Sequence, residues 1–167
     1  GFPAGVVNRS TAQAQGRGSW QSLTNQQLAQ AAECNVAGQV VINPVTRLAK
    51  ITVEVYYTAN SAEATNYLTI YMLQDSIWGS QGGGSSNPEQ YVNGNYCHMH
   101  ILRDAITADW GDEIAPTTAG TLITKEYVYE IPASIGSPNG VEVDLENIAF
   151  LAFVEEKQQG ATYRPIL

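Results

Sequence analysis

The two histidines of this chain, His98 and His100, stand two residues apart in the segment 96–104. Residues i and i+2 of an extended strand point to the same face, so the pattern predicts a strand with both rings on one face. Two imidazole nitrogens and the carboxylate of Asp104 would suit zinc or non-haem iron. The structural alternative is that the rings pack against Tyr, Trp or backbone carbonyls beneath the preceding loop.

The spacing of His98, His100, Asp104 and Gly111 is close to the first metal motif of cupins, which are double-stranded β barrels. Three features depart from that motif. The acid is Asp where Glu is usual, Val92 stands where a Gly is expected, and the chain has no third histidine for a second motif. The sequence also has no Gly-x-Ser-x-Gly elbow and no phosphate-binding loop. We therefore predict a protein that is not an enzyme and that holds no metal or other cofactor.

Three acids surround Trp110, namely Asp109, Asp112 and Glu113. Carboxylates in a tight turn are calcium ligands, but this spacing does not fit an EF-hand. We expect a solvated acidic turn.

Arg103 follows the histidines and falls on the apolar face of Cys97, Met99 and Ile101 if the strand is regular. A buried Arg needs a carboxylate or carbonyl partner, and a bulge would instead turn it outward. Either arrangement is structural. The two cysteines, Cys34 and Cys97, form no metal-binding spacing, and we expect two buried thiols, with a disulfide as the alternative.

The charge of the chain excludes one class of partner. Net charge is −8, and Lys and Arg together number only 8. A basic surface for a phosphate backbone is absent, so nucleic-acid binding is not expected. A cationic or neutral partner suits this charge better than an anionic one. No apolar run is long enough to span a membrane.

Aromatic residues lie before, within and after the loop 79–95, which is rich in Gly, Ser and Asn. Loops of this length on a rigid scaffold often carry contacts with partners. We predict that a ligand, either a glycan or an unidentified protein, contacts Trp78, Tyr91 and Trp110. The alternative for such aromatics is cross-strand packing on a sheet surface.

The elements that would position these residues are mostly strands. A helix is predicted from Trp20, with Ser19 as N-cap and Asn35 as the stop. Strands are predicted at 36–43, 49–59, 67–77, 97–107, 121–131, 141–143 and 148–154. Within 49–59 the alternation places Ile51, Val53 and Val55 in the core and exposes Lys50, Thr52 and Glu54. Segment 148–154 is apolar on both faces, which predicts a central strand. The fold class is therefore all-β, an immunoglobulin-like or jelly-roll-like sandwich with one N-terminal helix.

Several motifs resemble one family. Segment 96–103 (YCHMHILR) and the following Trp110-Gly111 resemble the hallmark of the twenty-eight-kilodalton outer-membrane lipoprotein family of Bacteroidetes. Segments 71–79 (YMLQDSIWG) and 147–154 (NIAFLAFV) fit the same family pattern. The resemblance runs from about residue 36 to 155.

The resemblance implies a surface-associated β-sandwich domain without enzyme activity, held at the outer membrane by a lipid anchor outside this sequence. It leaves open whether the domain faces the cell surface or the periplasm. Members often carry a thioredoxin-like domain upstream, and residues 1–9 resemble a Pro-containing strand near its end. Residues 1–18 are then the remnant of that domain or a linker from it, and residues 19–167 are the sandwich.

Overall fold

A computed structural model describes residues 3–8 and 13–156 of the chain. The helix α1 spans Trp20–Leu28, and two 3-10 turns span Arg17–Ser19 and Gly84–Ser86. The strands of the described part are β1 (Ala4–Gly5), β2 (Gln15–Gly16), β3 (Cys34–Ile42), β4 (Leu48–Tyr57), β5 (Asn66–Gln74), β6 (Ile77–Gly79), β7 (Tyr91–Val92), β8 (Asn95–His98), β9 (Ile101–Ala105), β10 (Asp112–Ile114), β11 (Leu122–Glu130), β12 (Ser134–Ile135), β13 (Val141–Glu142) and β14 (Ile148–Glu156). Parts of the predicted 1–18 remnant and the end of the predicted 19–167 domain lie outside the described residues, and this division stays a prediction.

The first main sheet has the strand order β11-β4-β3, and both pairs are antiparallel. Alternate side chains of β4 are buried, namely Ile51, Val53, Val55 and Tyr57. Lys50 and Glu54 between them are exposed, and Thr52 is half-buried. The alternation predicted for 49–59 is therefore confirmed, because each strand residue points to the face opposite its neighbour.

The second main sheet has β5 at its centre, with β14 along one side and β9 and β10 along the other. All these pairs are antiparallel. Within the described residues β14 pairs only with β5, so the prediction that 148–154 is a central strand is wrong. Of its two apolar faces, one packs in the core with Val154 and the other carries the exposed Leu151.

The two main sheets pack face to face around one core. Val53 of β4 and Ile70 of β5 belong to the same cluster of buried side chains, and both are at most 1% exposed. The fold is an antiparallel β-sandwich with one N-terminal helix, as the sequence predicts. A third, smaller sheet has the order β6-β8-β7 and is called the small sheet below.

The helix lies outside this core. None of its side chains is buried, and it ends at Leu28, so the predicted stop at Asn35 is wrong. Ser19 directly precedes it but makes no side-chain capping bond. The reason is that the 3-10 turn already gives Ser19 a helical backbone (φ −94°, ψ −14°), whereas a capping side chain needs an extended one.

Candidate functional site

The histidine segment divides into two strands that belong to different sheets. Strand β8 ends at His98 and pairs with β6 and β7, whereas β9 begins at Ile101 and pairs with β5. His100 between them has a left-handed backbone, with φ +54°. The predicted strand 97–107 is therefore wrong, and so is the shared face of His98 and His100.

The physical cause of this break lies just after the end of the neighbouring strand β5. The chain also breaks between β5 and β6, where Ser76 has φ +60°. Asp75 at that break accepts a hydrogen bond from the backbone N–H of His100, with 2.6 Å between Asp75 Oδ1 and the nitrogen. The two breaks therefore lie side by side, at the point where the pairing of β5 with β9 ends and that of β6 with β8 begins.

The two imidazole rings have different surroundings. His98 is half-buried and packs edge-on against Tyr96, with ring centroids 5.0 Å apart. A Cβ added at Gly79 would lie 3.6 Å from His98 Nε2, so this face of the ring is also covered. The ring of His100 is exposed, and its Nδ1 lies 3.8 Å from Asp75 Oδ1. His98 thus has the structural packing that the sequence allowed as an alternative.

The alternative metal set His98, His100 and Asp104 is divided by this break. Asp104 lies in β9 and accepts a hydrogen bond from the hydroxyl of Tyr129, at 2.5 Å. Across residues 3–8 and 13–156, no group of three or more His, Cys, Asp or Glu side chains is placed to hold a metal ion.

The predicted acidic turn is only partly a turn. Asp112 and Glu113 belong to β10, and only Asp109 and Trp110 lie in the turn before it. The carboxylate of Asp112 accepts the backbone N–H of Ala108 at 3.3 Å, and Glu113 accepts the hydroxyl of Tyr67 at 3.2 Å. The Asp112 carboxylate therefore stabilises the loop before β10, and the Glu113 carboxylate stabilises the pairing of β10 with β5.

Both cysteines are free thiols, so the disulfide alternative is wrong. They are half-buried rather than fully buried. Burial raises the pKa of the Cys34 thiol, and the nearby charge of Glu33 raises it further. Cys97 Sγ lies 3.9 Å from the sulfur of Met99.

Arg103 is half-buried and has backbone carbonyl partners, as the sequence predicts for a structural Arg. It donates to the side-chain oxygen of Gln74, to the carbonyl of Val141 at 2.8 Å and to that of Glu142 at 3.3 Å. The pairing of β5 with β9 shifts register next to this residue. The guanidinium thus holds β13 against the second main sheet.

The three predicted ligand contacts do not form one cluster. Trp78 and Trp110 are 55% and 68% exposed, whereas Tyr91 is half-buried. Trp110 precedes Gly111, which lies against Thr69, while Trp78 follows the far end of β5. The strand between these points extends by about 15–20 Å. Trp78 and Tyr91 share the small sheet but lie on its opposite faces, since their partners Cys97 and Tyr96 are adjacent.

The loop 79–95 has more fixed structure than its composition predicts. Its end is the tight β7–β8 hairpin, which turns at Asn93-Gly94 with positive φ at both residues. Gly84 is buried so closely under Tyr91 that a Cβ there would lie 2.7 Å from the ring. Packing of the Tyr91 ring on Gly84 therefore holds this part of the loop in place.

An exposed apolar surface that the sequence analysis missed lies on the second main sheet. Facing away from the core, Leu102, Leu73 and Ala149 lie side by side on β9, β5 and β14. The next row is Ala105, Tyr71 and Leu151. Leu102 is 57% and Leu151 46% exposed. These six residues are called the outer apolar face below.

One border of the outer apolar face is closed by the loop before β10. Thr69 and Glu155 on this border are buried, and the Thr69 hydroxyl donates to the Glu155 carboxylate at 2.6 Å. Gly111 of the loop has φ +77°, and a Cβ there would lie 2.8 Å from Thr69 Oγ1. Only glycine allows this approach, which places the exposed Trp110 beside the outer apolar face.

The signal that could have found this surface is the double-sided apolar pattern of 148–154. That pattern predicts burial on both faces, but an exposed interaction surface produces the same pattern. In the described part of the chain, no helix has the length and apolar character needed to cross a membrane.

Comparison with protein families matches residues 1–162 to the family described as outer membrane protein Omp28. Searches among curated proteins and among solved structures returned no match. The family match covers nearly all of the chain and agrees with the resemblance seen in segments 71–79, 96–103 and 147–154. The chain therefore belongs to the outer membrane protein Omp28 family, and its place is the outer membrane.

Proposed function

We propose that this chain is a non-catalytic interaction domain of an outer-membrane lipoprotein, and that it binds a protein partner through the outer apolar face. The observation that carries the proposal is the exposure of Leu102 and Leu151 in a continuous apolar surface. Monomeric proteins rarely expose large apolar patches unless a partner or membrane covers them. The lipid anchor is supported by the resemblance of segment 96–103 to the lipoprotein family.

A protein partner suits the chemistry of this face better than a sugar. Its two rows, Leu102-Leu73-Ala149 and Ala105-Tyr71-Leu151, contain no charged side chain. The apolar, uncharged centre of a protein–protein interface has this composition, with aromatic residues enriched. Sugar sites need polar groups that fix the hydroxyls, and the only polar group here is the hydroxyl of Tyr71.

The test is site-specific photo-crosslinking in the outer membrane. A photoreactive residue at position 102 or 151 should give a discrete cross-linked band with a partner. The same residue at position 128 is the control, since Val128 is equally apolar and more exposed on the other main sheet. The double variant Leu102→Lys/Leu151→Lys should abolish binding of that partner, whereas Leu122→Lys/Val128→Lys should not. Equal cross-linking at positions 102, 128 and 151, or none at all, would refute the proposal.

Glycan binding is the second candidate function, because Trp78 and Trp110 are exposed and exposed rings stack on sugars. A glycan array should be screened with the wild type, with Trp78→Ala/Trp110→Ala and with Tyr91→Ala. Binding that is lost with the Trp pair would establish this function. Tyr91→Ala reports on the fold of the loop, because this ring packs on Gly84.

The non-catalytic part of the proposal rests on the separation of His98 from Asp104 and on the structural bonds of the acidic residues. Elemental analysis of the purified protein tests it. We expect no stoichiometric zinc, iron or manganese. A stoichiometric metal that is lost in His98→Ala/His100→Ala would instead establish a metal centre.

A further inference from the structure

Strand β3 is an open edge of the first main sheet. In the described part of the chain it pairs only with β4. Residues 35–39 in its middle are all exposed, and Val36 and Val41 are 38% and 60% exposed. An open edge offers unpaired N–H and C=O groups to any extended chain that approaches it.

The hydrogen bonds at the two ends of β3 define which residues offer these groups. The N–H of Thr58 donates to Glu33 at 2.8 Å, and the N–H of Asn43 donates to Leu48 at 2.9 Å. In an antiparallel pair, residues alternate between bonding the partner strand and pointing away from it. Odd-numbered residues of β3 therefore bond β4, whereas Val36, Gly38 and Val40 direct their backbone groups outward.

This edge lacks the devices that normally prevent strand pairing. Natural edge strands carry Lys, other charges, Pro or bulges. From Cys34 to Ile42 the strand has no charged residue and no Pro, and its pairing with β4 is regular over nine residues. The facing edge strand β14 differs, since it ends in Glu155 and Glu156.

The sequence of β3 is complementary to itself about Gly38. Antiparallel pairing of two copies with Gly38 opposite Gly38 brings Val36 opposite Val40 of the partner subunit. Cys34 then lies opposite Ile42 of the partner subunit, and all these residues have outward-pointing backbone groups. The net charge of −8 does not oppose the contact locally, because the strand itself is uncharged.

We infer that the partner for this edge is a second copy of the chain, which pairs antiparallel through β3 on a two-fold axis at Gly38. The contact joins the two first main sheets into one continuous six-stranded sheet. It also covers part of a groove of about 480 Å³ between β3 and β14, which Val36, Val40 and Phe150 line. A contact of this kind closes on itself, so it gives a dimer and not a fibre.

Cross-linking tests the register directly. Gly38 is the one position of β3 that would face itself, at a Cα separation of about 5.5 Å that a disulfide spans. Its φ is not left-handed, and a Cβ there meets only the carbonyl of Thr52, at 3.8 Å. Gly38→Cys in a Cys34→Ser/Cys97→Ser background should therefore give a disulfide dimer on mild oxidation.

The matched control is Val45→Cys in the same background, since Val45 is 88% exposed in the turn after β3. We expect a dimer yield at position 38 that is at least several times the yield at position 45. Equal yields at the two positions would overturn the register.

Sedimentation velocity over a concentration series tests the association without cross-linking. The wild type should shift toward a dimer as concentration rises, and Gly38→Lys should remain a monomer because two ammonium groups would face each other. Val45→Lys should behave like the wild type. A wild type that stays monomeric throughout, or that forms open-ended aggregates, would overturn the inference.

The outer apolar face is a competing dimer contact, and Leu102→Lys/Leu151→Lys distinguishes the two. The β3 contact predicts that this variant still forms the dimer, whatever becomes of its partner binding. Loss of the dimer in this variant, with retention in Gly38→Lys, would move the contact to the outer apolar face and overturn the inference.

Discussion

Truncation of Val53 to Ala measures how much the packing of the two main sheets contributes to stability. Val53 lies at the middle of β4, is 1% exposed and packs in the same cluster as Ile70 of the opposite sheet. The substitution removes two carbon atoms. At about 0.8 kcal/mol per buried carbon, the lost transfer energy is about 1.6 kcal/mol.

The cavity term should be small at this position. Val53 is paired with Gly38, which has no side chain, and both line the groove between β3 and β14. The groove already opens to solvent, so the vacated space is not a sealed void. We expect a total loss of about 2 kcal/mol in the free energy of unfolding, at the lower end of the range for larger core truncations.

Urea denaturation is the assay, with the slope of the transition checked for constancy. A loss of about 2 kcal/mol should lower the urea midpoint by roughly 1 M. Val128→Ala is the matched control, because the same two carbons are removed from a valine that is 73% exposed in the same sheet. Its effect should stay within about 0.5 kcal/mol. Equal losses in the two variants would refute the assignment of Val53 to the core.

Two further variants test other parts of the structure. Gly111→Ala should destabilise more than Gly120→Ala in urea denaturation: both glycines have a left-handed φ, but only Gly111 would also place a Cβ 2.8 Å from Thr69 Oγ1. Equal losses would show that this close approach costs nothing. Burial, and then the adjacent Asp104 carboxylate, raise the pKa of Tyr129. The folded pKa exceeds the unfolded value of about 10, so this contribution to stability is complete below pH 10 and falls as pH rises above it. The free energy of unfolding should therefore fall less steeply above pH 10 in Tyr129→Phe than in the control Tyr56→Phe, and an unchanged slope would contradict this.

Local pattern determined much of the fold. The two-residue period of β4 defined which of its side chains face the core, because a strand offers only two faces. The sandwich class follows from such strands and their turn signals, and the family resemblance follows from the short segments 71–79, 96–103 and 147–154. These features depend on residues near one another in the chain, so the sequence alone is sufficient for them.

Tertiary contacts decided the candidate sites. The break at His100 depends on Asp75, 25 residues away, which bonds its backbone N–H. Nothing in the segment 96–104 itself contains that contact, so the pattern of two histidines predicted one strand and a shared face.

The position of β14 was likewise decided by contacts outside its own segment. A segment that is apolar on both faces is compatible with a central strand or with an edge strand that carries an exposed interaction surface. Pairing decides between them, and the partner of β14 is β5, which lies far away in the sequence. The sequence of β14 thus determined that both of its faces are apolar, whereas the tertiary structure decided that one of them, with Leu151, is exposed.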